Sequence, residues 1–308
     1  MNIALLTLAL TLAQDAPPVA PATPENAAPT VAPASPAAAN EEIEEIVTVT
    51  ETDPTQGWYF GPSYTEHTRV LALQTARTLR KDGWEFLIDH RASAPFHAQG
   101  STWADTFHNF GGLDSSLSIG LALRYSVQGL FDVGIYRAKV AGGIDTYQFD
   151  GRYQVLKQEN MGVDVAVVGG ITWFSQPDMK DASGFLGQLF VDRVLFNRLL
   201  VGSGLMYHSS STNKAKYKED IKYSVAVPVF AEFRITGGLA LATEVVTGLA
   251  GYWSKYPAYS AGLKYFTNRH TFAFVFGNTA DLTADGYITN SQKGFRDSVI
   301  GFNLTRAY

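Results

Sequence analysis

The stretch Leu117–Tyr125 reads LSIGLALRY. Leu117, Ile119, Leu121, Leu123 and Tyr125 alternate with Ser118, Gly120, Ala122 and Arg124. Large apolar side chains on one parity and small or polar ones on the other make a strand with two unlike faces. A strand of a soluble sandwich alternates in the same way, so the neighbours decide what it means. From Gly83 the pattern recurs about twelve times, over 83–91, 115–127, 131–140, 145–155, 162–174, 184–195, 199–210, 221–234, 238–248, 257–266, 270–279 and 297–308. Most of these runs have the roughly 9–11 residues that a tilted strand needs to cross hydrocarbon.

The connections fall into two alternating classes. Those near 128–130, 156–161, 196–198, 235–238 and 267–269 are tight, whereas 92–114, 175–183, 211–220, 249–256 and 280–296 are long, and 141–144 is the shortest of that class. Tight turns therefore gather at one end of the strands, with both termini, and long loops at the other. Aromatic residues mark both ends. Trp84, Tyr125, Phe131, Tyr153, Phe233, Tyr265, Phe272 and Tyr308 fall near the tight turns, and Tyr147, Trp173, Phe185, Tyr207, Tyr223 and Tyr259 near the long loops. Two aromatic girdles around an aliphatic band are what a bilayer selects. The expected fold is all-β: a transmembrane antiparallel barrel of about twelve strands over 83–308. Pro228 lies inside a run and predicts a bulge there.

Composition is consistent with this. Charged residues make up 17% of the 308, against about 25% in soluble domains. No run approaches the ~18 apolar residues of a spanning helix. The absence of cysteine excludes disulfide frameworks and thiolate metal sites. A net charge of −5 argues against a nucleic-acid partner, which favours clustered Lys and Arg.

Ahead of the barrel, Met1–Ala13 has the apolar core and small-residue end of a secretory signal. Residues 14–56 form a linker, rich in Ala and Pro up to Asn40 and expected to be disordered. Within it, Glu45-Ile46-Val47-Thr48-Val49-Thr50 resembles the TonB box of TonB-dependent outer-membrane receptors. That resemblance implies recruitment of a periplasmic TonB-like protein by strand addition. The plug domain of those receptors has no counterpart, because too few residues precede the first strand. Residues 57–82 are a lead-in, in which Thr68–Leu79 (TRVLALQTARTL) reads equally as a short helix or an extended segment. It could close the mouth of the barrel or enter its lumen.

Three stretches resemble a bacterial β-barrel family, domain of unknown function 5777: Thr75–Arg91 (TARTLRKDGWEFLIDHR), Phe110–Asp114 (FGGLD), and His270–Asn278 with Gly301–Arg306. The resemblance spans roughly residue 68 to the end and implies an outer-membrane barrel. It brings no activity, cofactor or catalytic residue with it. The final strand, ending at Tyr308, resembles the signal read by the barrel-assembly machinery. Other expected partners are outer-membrane lipid and lipopolysaccharide.

Inward parity collects Glu85, Asp89, Arg91, Arg124, Asp132, Asp150, Arg152, Asp164, Asp192, Glu232, Arg234, Glu244 and Lys264. Such charges either pair across the lumen and fill it or line a polar conduit that leans towards cations. Six histidines are the candidates for chemistry: His67, His90, His97, His108, His208 and His270. Their spacing matches no metal-ligand motif, and neither His97 and His108 beside Asp105 and Asp114 nor His208-Ser209-Ser210 completes a catalytic set. No cofactor is expected. Lys214, Lys216 and Lys218 sit in a long loop as a solvated cluster within reach of lipopolysaccharide phosphates. The leading expectation is a narrow channel or transport component for small solutes. The alternatives are a non-conducting anchor of an envelope-spanning complex and, last, a barrel enzyme.

Overall fold

The computed structural model of the chain describes residues 68–140, 144–175, 182–209, 223–267, 269–289 and 291–308. The expectations for Met1–Ala13, the linker, Glu45–Thr50, His67 and the three loop lysines lie outside the described residues.

Twelve strands form in chain order: β1 (Trp84–Ala92), β2 (Leu117–Ser126), β3 (Phe131–Val140), β4 (Ile144–Leu156), β5 (Asp164–Ser175), β6 (Ala182–Leu195), β7 (Leu199–His208), β8 (Ser224–Thr236), β9 (Leu239–Gly251), β10 (Ala258–Phe266), β11 (His270–Gly277) and β12 (Val299–Ala307). Each pairs antiparallel with its neighbours in sequence. Pairing of β1 with β12, from Glu85↔Ala307 to Arg91↔Gly301, closes the barrel. Among the described residues the closed barrel leaves no edge strand, although the β7–β8 pairing skips Gly204 and Leu205 opposite Val227 and Pro228.

The two parities of LSIGLALRY end on opposite sides of the wall. Ile119, Leu121 and Leu123 are each 40–42% exposed, while Ser118, Gly120, Ala122 and Arg124 are buried. Apolar outside and polar inside is the inverse of a soluble core. It is the distribution of a wall that faces lipid and encloses a filled lumen.

The tight connections share one end. Between β6 and β7 the turn Phe196-Asn197 has φ of 52° and 54°, the primed geometry whose twist matches a hairpin. Between β4 and β5, the one-turn helix α1 (Gln158–Met161) stops at Gly162 in the left-handed region. Pro228 does not itself carry the predicted bulge. The register shifts between β8 and β9 lie at Val225/Ala226 and Arg234/Thr236 instead. Opposite Pro228, which has no N–H to give β7, the hydroxyl of Ser203 donates to the Pro228 carbonyl at 2.8 Å.

At the other end two long loops carry structure. The loop after β1 holds helix α2 (Trp103–His108) and a 3₁₀ turn at Phe110–Gly112. The loop before β12 holds helix α3 (Ala284–Ile288) and a 3₁₀ turn at Phe295–Asp297.

Candidate functional site

All thirteen inward charges are buried in the lumen, and register explains how those of β1–β4 meet. Asp132 lies opposite Arg152, and Gly134 lies opposite both Arg124 and Asp150. A Cβ on Gly134 would stand 2.7 Å from the Arg124 guanidinium, so the glycine lets that side chain cross from β2 towards β4. Arg124 then donates to Asp132 and Asp150, and Arg152 donates to the second oxygen of Asp132 at 2.6 Å. The result is a buried ladder, Asp150–Arg124–Asp132–Arg152, in which two carboxylates and two guanidiniums neutralise one another. Higher up, Asp89 accepts from the Tyr136 hydroxyl at 2.9 Å and Arg91 donates to Asn303 at 2.6 Å. Across the lumen Lys264 and Glu232 pair at 2.6 Å, and Arg234 lies over the Phe266 ring.

Residues 68–79 run through the middle of this lumen. They form neither a helix nor a lid over the mouth, but an extended strap folded back on itself. Arg69 bridges to Gln74, Val70 N–H donates to Leu73 at 2.9 Å, and Thr75 N–H donates to Thr68 at 2.9 Å. Both limbs reach the tight-turn end: Thr68 meets Glu85 near the start of β1, and Thr78 meets the turn carbonyl of Gly129 at 2.7 Å. All but Arg69 and Ala72 of its twelve residues are buried.

The strap is held chiefly through its backbone. At its tip, Glu244 of β9 accepts the amides of Leu71 (3.3 Å), Ala72 (3.0 Å) and Leu73 (3.0 Å). Three consecutive N–H groups converging on one carboxylate make an anion nest, here filled by the wall's own side chain. On the return limb Ala76 N–H donates to Asp192 at 2.6 Å, and Arg77 bridges Asp164 (3.0 Å) and Asp192 (3.5 Å). Arg152 donates to the carbonyls of Thr68 and Thr75, both at 3.1 Å, tying the strap to the ion ladder. Lys264 and Asn303 reach the carbonyls of Arg69 and Leu71.

From the long-loop end, α3 descends onto the strap. Tyr287 and Ile288 join Val70, Leu71 and Leu73 of the strap and Phe190, Met206 and Phe230 of the wall in one apolar cluster. The lumen thus combines the ion ladder beside β1–β4 with an apolar cluster beside β6–β9, where Asp192, Glu232, Arg234 and Glu244 are the buried charges. A cavity of about 20 Å³ remains between strap and α3, lined among others by Gln74, Gln148 and Gln188, whose amide oxygens have no protein partner there. That volume suits a single water.

The histidines take separate places. His97 Nδ1 meets Thr106 Oγ1 at 2.6 Å in the first loop, and His108 is exposed beside it. His208 is buried against Thr172 Oγ1 at 2.7 Å, while the Ser209 hydroxyl accepts from Phe185 N–H. Among the described residues no three of His, Asp and Glu converge on a metal position. One outward position is not open to the surroundings: Ile300 is 4% exposed, because the first long loop brings Gly111 down against it.

A family model described as a membrane-bound beta-barrel domain (DUF5777) matches residues 66–308. A search of curated proteins finds no match. Solved structures with the same kind of fold include the COG4313 outer membrane channel from Pseudomonas putida F1 (13% identity over 75% of this chain and 97% of that one, TM-score 0.47). Another is the Acinetobacter baumannii outer membrane protein Omp33 (9%, 74% and 99%, TM-score 0.42). A third is outer membrane phospholipase A from Escherichia coli (11%, 81% and 97%, TM-score 0.38).

Proposed function

The chain belongs to the family of membrane-bound beta-barrel domains, DUF5777, and from that premise we propose that it works as a gated, narrow conduit for small solutes in a bacterial outer membrane, with residues 68–79 as the gate. The observation that carries this reading is how the strap is attached. It is a hairpin with both limbs at the tight-turn end, seated on carboxylates through backbone amides. Such a part can leave by the way it entered without breaking a strand. In this reading the tight turns and termini face the periplasm and the long loops face outward.

Charge supports a cation-leaning open state. The thirteen inward side chains are eight carboxylates and five cations, and the strap adds Arg69 and Arg77. With the strap seated the lumen is close to neutral. With it withdrawn, the acids that held its amides face the passage. The loop bearing α3 stays as a constriction, so the opening is narrow.

Glu45–Thr50 supplies a handle for withdrawal by a periplasmic TonB-like protein. Seventeen residues separate Thr50 from Thr68, a reach of up to roughly 60 Å when extended. In this reading the strap and its handle do the work that a plug domain does in TonB-dependent receptors.

The test is ion flux in proteoliposomes. The full chain is expected to be sealed. A variant lacking residues 68–79 is expected to pass K⁺ severalfold faster than Cl⁻. The filled lumen also suits a non-conducting anchor. A deletion variant that keeps heat-modifiable migration yet stays sealed would refute the conduit and leave the anchor.

A further inference from the structure

We propose that the first long loop is an anchor in the membrane interface: the stripe Trp103, Phe107 and Phe110 sits among the lipid headgroups and upper acyl chains of the leaflet at the long-loop end.

Sequence and capping build the stripe. Thr102 accepts from Asp105 N–H at 3.2 Å and Asp105 accepts from Thr102 N–H at 2.8 Å, a capping box that starts α2. Those bonds hold the Asp105 carboxyl below the usual carboxylate range. Trp103 and Phe107, one turn apart, then share a face of α2 with their rings 6.4 Å apart, and Phe110 follows in the 3₁₀ turn. Trp103, Phe107 and Phe110 are 61%, 75% and 71% exposed, while Thr106 between them is buried. The helix ends at Asn109, and Phe110 and Gly111, with φ of 48° and 61°, turn the chain towards the barrel.

The loop lands on the outside of the wall. Gly111 and Phe96 pack on the outward-facing Ile300 of β12 and, through Phe96, against Phe276 of β11 at 6.4 Å. Phe96 N–H donates to the Ser298 carbonyl at 2.6 Å. Lys293, whose amine burial pushes below the usual lysine range, donates to the Ser93 carbonyl at 2.9 Å. The loop is therefore fixed beside the lipid-facing surface rather than over the mouth. Trp103 lies 6.5 Å from Phe96, which links the loop to Phe276 on the outward face of β11, the face that also carries the exposed Phe274.

The adjoining rings of Trp103 and Phe107, with the exposed Phe110 two residues beyond the helix, form the kind of apolar patch that marks an interaction surface. Tryptophan and other amphipathic rings settle at headgroup depth. Because the patch is continuous with a wall that already faces lipid, the lipid leaflet is the occupant.

The chain has no cysteine, so one introduced thiol carries one spin label. Phe107→Cys and Phe110→Cys are labelled and reconstituted in phosphatidylcholine vesicles, with Ala104→Cys as the off-stripe control. At 107 and 110, oxygen is expected to relax the label several times more than a water-soluble nickel chelate does. At 104 the order reverses. Nickel relaxation at 107 and 110 equal to that at 104 would overturn the proposal. So would label–label broadening removed by dilution with unlabelled chain, which would make a second copy the occupant. As an independent readout, Trp103→Phe should lower the quenching of tryptophan emission by phospholipids brominated in the upper acyl chain. Unchanged quenching would count against the proposal.

Discussion

Glu244→Ala is expected to turn a sealed barrel into one that opens in bursts. The Glu244 carboxylate is 1% exposed and takes the amides of three consecutive strap residues. Its removal leaves those N–H groups without that acceptor in a buried part of the lumen, at a cost of about 1–3 kcal/mol each. If about 3 kcal/mol of that falls on the seated state, the unseated population rises on the order of a hundredfold. Glu244→Gln keeps one acceptor oxygen but turns an NH₂ group towards amide donors, so it should lie between the two. Single-channel recording in planar bilayers reads the effect directly: rare or absent events for the parent chain, frequent ones for Glu244→Ala. A folded Glu244→Ala barrel as silent as the parent would remove Glu244 as the seat of the strap.

Asp132→Asn should have the largest effect on the wall itself. Asp132 is fully buried and receives Arg124 on one oxygen and Arg152 on the other. The amide keeps the shape but loses the charge and points an NH₂ at a guanidinium. Breaking a buried ion network from one side costs about 3–5 kcal/mol. For a domain of this size that is on the order of 10 °C in the midpoint of heat-modifiable migration. The strap is also affected, because Arg152 holds the carbonyls of Thr68 and Thr75 with the same guanidinium. A midpoint within a degree or two of the parent's would mean that the Asp150–Arg124–Asp132–Arg152 ladder contributes little.

The barrel was legible in the sequence because its signal is additive. One alternating run such as Leu117–Tyr125 is ambiguous, but twelve of them with turns of alternating length are not. Inward parity names the charged residues without saying which meets which, since partners such as Arg124 and Asp150 sit two strands apart. The strap was the part least visible. Its hold comes mainly from backbone amides and carbonyls, which every residue carries, and it is enclosed on all sides. No single apolar face, and hence no period, develops in TRVLALQTARTL.

One trace of the strap did exist. Glu244 lies opposite Phe230 and Ser260 on the flanking strands, neither of them basic. A mid-barrel carboxylate without a cationic neighbour calls for donors from elsewhere. The loop before β12 left a similar trace in Leu282, Tyr287 and Ile288, apolar residues in a segment that would otherwise be solvated. For Ile300 parity gives the correct side of the wall, and only the fold of a distant loop covers it.

The central claim is that the strap occupies the lumen at rest, and the reactivity of one thiol at its tip tests it most directly. Leu71 is 1% exposed and Phe196, in the tight turn between β6 and β7, is 90% exposed. In the assembled barrel Leu71→Cys should react with a membrane-impermeant maleimide on the order of a hundredfold more slowly than Phe196→Cys, the factor set by about 3 kcal/mol of seating. Adding Glu244→Ala should remove most of that protection. A Leu71→Cys thiol that reacts as fast as the one at 196 in the parent barrel would place the strap outside the lumen and contradict the account.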